Sequence, residues 1–307
     1  MFERDFLEAR VFSGVGLSYG GDAVAPEVPF EVTNCAEGFD GNFIGRPLAQ
    51  IQLSNEGLKP VRFGSHSPDF VIRQYFDPRY GPTGKIRSFT IPLGYKQGFF
   101  ARGSAGSGAK RLFTWSFAGE KKGSRAEIIN LFADIGKGSV YWTSSFGDPF
   151  ALPAHGVKRL YQNSSFVICP WGFLNPDSFR LTETLESGAI PVTTRFCGLD
   201  YARVVFGRHP FIVGRNWSDA AAEVLRLSKN PEELEVRRKE VEDWYRRFRY
   251  TLSSDVAALV DNPSINLSAL EGEQWRIQAQ WGRNLFIRTL FFFYFRFWWF
   301  RRLARPI

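Results

Sequence analysis

The stretch most able to do chemistry lies between residues 163 and 195. An apolar run at 165–169 stops at Pro170-Trp171-Gly172, a loop carries Asn175-Pro176-Asp177, and a helix-like segment presents Ser178, Arg180, Glu183 and Glu186. Gly188-Ala189-Ile190-Pro191-Val192 then enters a further apolar run. Strand, loop and helix in that order bring a ligand to the carboxyl end of the strand, against a helix N-terminus whose N–H groups and dipole favour an anion. Arg180, in the first turn, can fork onto a phosphate. Glu183, one turn deeper on the same face, can accept both hydroxyls of a ribose. The set describes a site for a nucleotide diphosphate. The same charges at i, i+3 and i+6 also fit a solvated helix face with an intrahelical ion pair.

Two glycine-rich stretches do not supply a phosphate loop. Gly14, Gly16 and Gly20 miss the dinucleotide spacing by one residue, and Gly103, Gly108 and Lys110 miss the P-loop spacing by one. Each motif works by aiming particular backbone N–H groups, so a slipped register loses the mechanism. No Asp-x-Asp pair occurs, so no metal site is expected, and no cofactor beyond a nucleotide diphosphate sugar acting as substrate.

The run from Cys169-Pro170-Trp171-Gly172 through Asp177-Ser178-Phe179-Arg180-Leu181-Thr182-Glu183-Thr184-Leu185-Glu186-Ser187-Gly188-Ala189-Ile190-Pro191-Val192 resembles the signature of the exostosin-like (GT47-type) glycosyltransferases. Phe117-Ala118-Gly119, followed by Lys121, Lys122 and Arg125, is similar to the element that opens that family's donor domain. Val71-Ile72-Arg73-Gln74-Tyr75-Phe76 and Ile91-Pro92-Leu93-Gly94-Tyr95-Lys96 resemble acceptor-side segments of the branch that includes ribitol-phosphate xylosyltransferases. The resemblance implies an α/β, GT-B-like fold of two Rossmann-like domains facing a cleft, and inverting transfer from a nucleotide diphosphate sugar, a UDP-sugar in the simplest case, to a glycan or glycolipid. It also implies that Arg180 neutralises the diphosphate, Glu183 holds the ribose and Ser178 adds a hydroxyl near the phosphates. Gly119 would let the backbone approach the donor, with Lys122 or Arg125 nearby. Trp171 stands where a basic residue is common, and the chain is short before residue 110.

Inverting transfer needs a base on the acceptor hydroxyl and charge stabilisation on the leaving diphosphate. Glu56, His66, Asp69 and Asp77 are the candidate bases. Glu56 is favoured, because it follows a strand in a Ser-Asn-Glu turn, and so Glu56 and Arg180 are the expected catalytic pair. The alternative is a catalytically silent GT-B-like protein that binds glycan or scaffolds a membrane assembly.

The elements that must position these groups read as follows. Strands are expected at 48–53, 69–75 and 87–93, and a flexible connection at 101–110. Strands at 111–118, 139–143, 165–169, 189–194 and within 203–213 alternate with helices at 157–162, 179–187 and 218–227, the pattern of βαβ units on a parallel sheet. Ser124 and Glu127 read as a capping box opening a helix to about residue 133. Asn230-Pro231-Glu232-Glu233 starts a helix that is expected to run to about residue 250. The domains are then 1–110 on the acceptor side, 111–250 for the nucleotide sugar, a return linker or helix at 251–282, and a tail at 283–307.

The 307 residues are 44% hydrophobic and 23% charged, a globular balance. Of 50 aromatic residues ten lie between 285 and 300. Residues 283–307 hold Arg283, Arg288, Arg296, Arg301, Arg302 and Arg305 and no acid, so of the net charge of +8 only +2 belongs to the rest. A nearly neutral body argues against a nucleic-acid partner. Sixteen apolar-aromatic residues interrupted by arginine fall short of a membrane span but suit an anionic membrane surface, with 285–302 as the contact. A helix packed on the body is the competing reading. Three cysteines without a CxxC pair point to a reducing compartment and hence to the cytoplasmic face of a membrane, peripheral or monotopic.

Overall fold

The computed structural model describes residues 4–13, 30–34, 49–53, 55–58, 67–100, 111–145, 147–172 and 174–297. The expected connection at 101–110, His66, Cys35 and the last ten residues of the tail lie outside them.

The chain opens with α1 (Arg4–Phe6), which continues as a π-type turn over Leu7–Val11. Four strands follow: β1 (Phe30–Asn34), β2 (Ala49–Leu53), β3 (Phe70–Arg73) and β4 (Arg87–Thr90). They form a parallel sheet in the order β1-β2-β3-β4. Every residue of β2 and β3 is buried, as expected of a parallel sheet covered on both faces. β2, β3 and β4 lie where strands are expected, β1 has no counterpart among the expected strands, and the ladders of β3 and β4 stop short of the expected ends at 75 and 93.

The second sheet holds β5 (Phe113–Glu120), β6 (Gly138–Thr143), β7 (Ser164–Ile168), β8 (Ile190–Thr194) and β9 (Ile212–Gly214), all parallel, in the order β6-β5-β7-β8-β9. Between them run α2 (Arg125–Asn130), α3 (Ala154–Gln162), α4 (Phe179–Glu186) and α5 (Ala202–Phe206), and α6 (Trp217–Ser228) follows β9. The order reverses between β5 and β7, and in a doubly wound sheet that switch point opens a crevice at the carboxyl ends of the strands.

Two local expectations are corrected. Ser124 makes no capping hydrogen bond, because its backbone (φ −80°, ψ 7°) is already close to helical, and α2 is only six residues long. The strand expected within 203–213 is confined to β9 at the end of that range, and residues 202–206 form α5, which packs on α8 (Glu273–Arg283) and ends at Gly207, φ +72°. Short apolar runs carry no periodicity that separates the two cases.

Helix α7 (Pro231–Asp261) starts as expected, with the Asn230 side chain accepting from the Glu233 N–H. It runs on past the expected boundary at 250, because Leu252, Val256, Leu259 and Val260 keep a buried stripe going. Asp255, buried in that last part, accepts from the N–H groups of Glu271 and Gly272 and from Trp275 Nε1, fixing the entry to α8. From α8 the fully buried Gln278 bonds both halves of the molecule. Its Oε1 accepts from the Thr90 N–H at 2.9 Å, and its Nε2 donates to Thr90 O at 2.8 Å and to Val204 O at 2.9 Å.

The tail forms α9 (Leu285–Arg296), with the Asn284 side chain accepting from the Ile287 N–H. Ile287, Leu290, Phe291 and Tyr294 are buried on the body, so one face of the tail follows the packed-helix reading. No helix among the described residues is long and apolar enough to cross a membrane.

Candidate active site

The crevice at the switch point is built from the ends of β5 and β7 and the start of α4. Gly119, near the end of β5, has φ +155°, and a Cβ there would lie 1.9 Å from Arg180 Nη2. The guanidinium thus lies where only glycine leaves room. Its Nε donates to Ala118 O at 2.8 Å, and its Cζ sits 5.0 Å from the centre of the Phe117 ring. The Phe-Ala-Gly element therefore acts as a seat for Arg180.

At the start of α4 the N-cap Ser178 makes no side-chain cap bond, and its N–H donates to Asp177 Oδ1 at 2.8 Å. Ser178 is 5% exposed, and its hydroxyl has no partner among the described residues. A buried hydroxyl of this kind calls for an acceptor.

Glu183 sits deeper. It is buried, and the Lys96 N–H reaches its carboxylate. Burial pushes the Glu183 carboxyl above its ordinary range, against the opposing pull of the Arg180 charge and the Lys96 N–H. Thr182, beside it, donates through Oγ1 to Leu93 O, so the 93–96 segment of the first half lies over this face of α4.

Arg125 spans the switch point: Nη1 donates to Glu120 O at 3.1 Å and Nη2 to Trp171 O at 3.0 Å, joining the ends of β5 and β7. A cavity of about 90 Å³ beside it is lined by Glu120, Lys122, Arg125, Trp171, Gly172 and Trp217. Lys122 is 3.8 Å from Glu120 and remains partly exposed. The Trp171 ring packs on Phe196 at 5.5 Å, and its buried Nε1 has no partner among the described residues.

Glu56 follows β2 at the carboxyl end of the first sheet and reaches across to the second half. Its Oε1 accepts from the N–H groups of Leu174 at 2.5 Å and Asn175 at 3.1 Å. A Cβ on Gly172 would stand 2.8 Å from that oxygen and 2.7 Å from Asp177 O, so this glycine too is set by close approach. Of the other candidate bases, Asp77 is buried and held by Arg79 through Nε at 3.0 Å and Nη2 at 2.6 Å, with Arg73 at 3.8 Å. Asp69 precedes β3 and so lies at the amino end of that strand, away from the crevice. The structure brings Gly119 and Arg180 together, sets Ser178 at the start of the same helix, and places Lys122 and Arg125 on the adjoining cavity.

Glu186 is no part of a solvated face. Its side chain is covered, and it accepts from Arg10 Nε at 2.7 Å and Nη2 at 3.2 Å, from the Tyr245 hydroxyl at 2.9 Å and from Arg249 Nη1 at 3.5 Å. It ties the first helical segment to α4 and α7. Among the described residues no three His, Cys, Asp or Glu side chains gather as metal ligands. Cys169 and Cys197 are free thiols, pushed up by burial to about 12 and about 11. Glu120 carries no signal in the sequence, and Gly172 stands in the signature with no role assigned to it. The Pro-Trp-Gly stop after β7 was the available signal for Gly172.

The profile of the family described as RXYLT1 C-terminal domain matches residues 107–263, just over half of the chain. No curated protein sequence matches. Among solved structures, a DNA-modifying β-glucosyltransferase determined with and without uridine diphosphoglucose is similar at 12% identity and a TM-score of 0.41, covering 71% of this chain and 82% of its own. An α1,3-fucosyltransferase is similar at 11% identity and a TM-score of 0.40, covering 66% and 72%. The two parallel sheets, meeting at the carboxyl ends of their strands, make the fold α/β and GT-B-like.

Proposed function

The chain belongs to the RXYLT1 C-terminal domain family of exostosin-like glycosyltransferases, and from that premise we propose that it moves a sugar, with inversion, from a UDP-sugar to a hydroxyl of a glycan or glycolipid at the cytoplasmic face of a membrane. The observation that supports this reading is the seating of Arg180 in the space left by Gly119, on the helix whose first turn carries the buried Ser178 hydroxyl, without a partner among the described residues. An arginine held in advance by a backbone carbonyl and a ring needs no reorganisation when charge develops on the departing diphosphate. In this account Arg180 forks onto the diphosphate, Ser178 donates a hydrogen bond to it, and Lys122 adds charge from the neighbouring cavity. Glu183 holds the ribose, which requires the 93–96 segment to yield. Glu56, fixed through Oε1, offers Oε2 as the base that takes the acceptor proton. The cations are the protein's own, so transfer proceeds at the same rate, within about twofold, in excess EDTA as with added Mg²⁺ or Mn²⁺.

Thermal unfolding with and without UDP tests the reading. Binding to the native state raises the Tm of the wild type, and Arg180→Ala abolishes the shift while leaving the unliganded Tm close to that of the wild type. A full shift in Arg180→Ala removes the phosphate role from Arg180.

A further inference from the structure

Helix α9 carries two stripes. Ile287, Leu290, Phe291 and Tyr294, at i, i+3, i+4 and i+7, are buried. Leu285, Phe286, Phe292 and Phe293 face outward at 75, 67, 59 and 37% exposure, and the exposed Arg288 and Arg296 lie between and beyond them. A folded chain seldom leaves so contiguous an aromatic strip in water, and one of this kind marks an interaction surface.

The inner stripe shows where that surface lies. Phe291 packs on Phe76 at 5.8 Å and on Phe196 at 5.2 Å, and Tyr294 packs on Phe196 at 4.8 Å. Phe76 follows the carboxyl end of β3 and Phe196 that of β8. Phe196 in turn backs Trp171, a wall of the crevice. The helix is therefore on the same side of both sheets as the crevice, and its inner stripe reaches the crevice wall through Phe196 and Trp171.

The chemistry of the occupant follows from charge. The stripe offers aromatic rings and guanidinium groups, and residues 283–307 contain no acid. A second copy laid on this stripe would set arginine against arginine. Aromatic rings at headgroup depth with arginines reaching anionic phosphates fit the interfacial zone of a bilayer. We propose that the outer stripe of α9 docks on an anionic lipid surface and holds the mouth of the crevice at that surface. Given the transferase reading, on which this last step rests, the acceptor is one that the bilayer itself presents.

The test uses the full chain and sedimentation with vesicles of phosphatidylcholine alone, or with about a third phosphatidylglycerol. The wild type pellets with the anionic vesicles at least about tenfold more than with the neutral ones. Phe286→Glu/Phe292→Glu and Arg288→Glu/Arg296→Glu each lower that binding at least about tenfold, with Tm and the UDP-induced shift unchanged. Variants that bind like the wild type, or a wild type that binds neither vesicle, overturn the proposal. So does a wild-type dimer that the variants convert to monomer without any vesicle binding, which assigns the stripe to a second copy. Vesicle binding without a UDP shift leaves this surface standing and removes the transferase reading.

Discussion

Arg180 and Gly119 share one small volume: a Cβ on the glycine would lie 1.9 Å from the arginine's Nη2. The two residues are distant in sequence and belong to different elements, yet each is meaningful only through the other. Gly119→Ala therefore acts as an arginine variant. The methyl group evicts the guanidinium from Ala118 O, and transfer falls about a hundredfold, as expected for a misplaced charge-stabilising group. The unliganded Tm drops as well, because alanine is strained at φ +155°. Initial rates at saturating donor, together with the UDP-induced Tm shift, measure the effect. An undiminished rate removes the seating argument.

Glu56→Gln separates structure from chemistry at the first half's contribution. The amide oxygen can still accept from the Leu174 and Asn175 N–H groups, so the loop stays in place and UDP still raises Tm. The amide cannot take a proton, and transfer falls about a hundredfold or more. Retained transfer in this variant would reassign the base.

Glu183 makes stability depend on pH in an unusual direction. Burial raises its pKa in the folded state, so the native protein holds this proton more tightly than the unfolded chain. The favourable contribution is complete below the ordinary carboxyl range and is lost as pH rises through the raised value. Most shifted surface carboxylates act oppositely, Asp219 among them, pulled down to about 2 by Arg215. The informative quantity is thus a difference: from pH 4 to pH 8, Glu183→Gln gains Tm relative to the wild type. A constant difference across that range refutes the assignment.

Glu186→Gln leaves Arg10 and Arg249 facing a neutral amide in a buried place. Removing the charge from this part-buried, hydrogen-bonded cluster costs about 1.5 kcal/mol. Urea unfolding measures it, and adding Arg10→Met recovers part of the loss if the two side chains are coupled.

The donor half was largely legible because its signals are local. Alternating apolar runs, the stop at Pro170-Trp171-Gly172 and the close of α4 at Gly188, with φ +66°, are written within a few residues of one another. The face taken by α9 was also open to inspection, since 287, 290, 291 and 294 carry helical spacing. Other features depend on partners far along the chain. Glu186 reads as one more charge on a helix until Arg10 and Tyr245 are seen around it. Gly119 was expected to admit a ligand's approach, and the structure gives the space to Arg180. Arg125 was expected beside the donor, and two strand-end carbonyls hold it. Periodicity reports which way a side chain faces, not what meets it there.

Gln278 has a consequence for how the crevice can open. One buried amide bonds the end of β4 on one side and α5 on the other. Swinging the halves apart about a waist would strip the two hydrogen bonds to Thr90, or the one to Val204, from an amide with no exposure to water. The molecule is riveted where a hinge would otherwise be. The 93–96 cover on Glu183 is held as firmly, with Leu93 and Tyr95 each 1% exposed and the Tyr95 ring packed on Phe6 and Phe99.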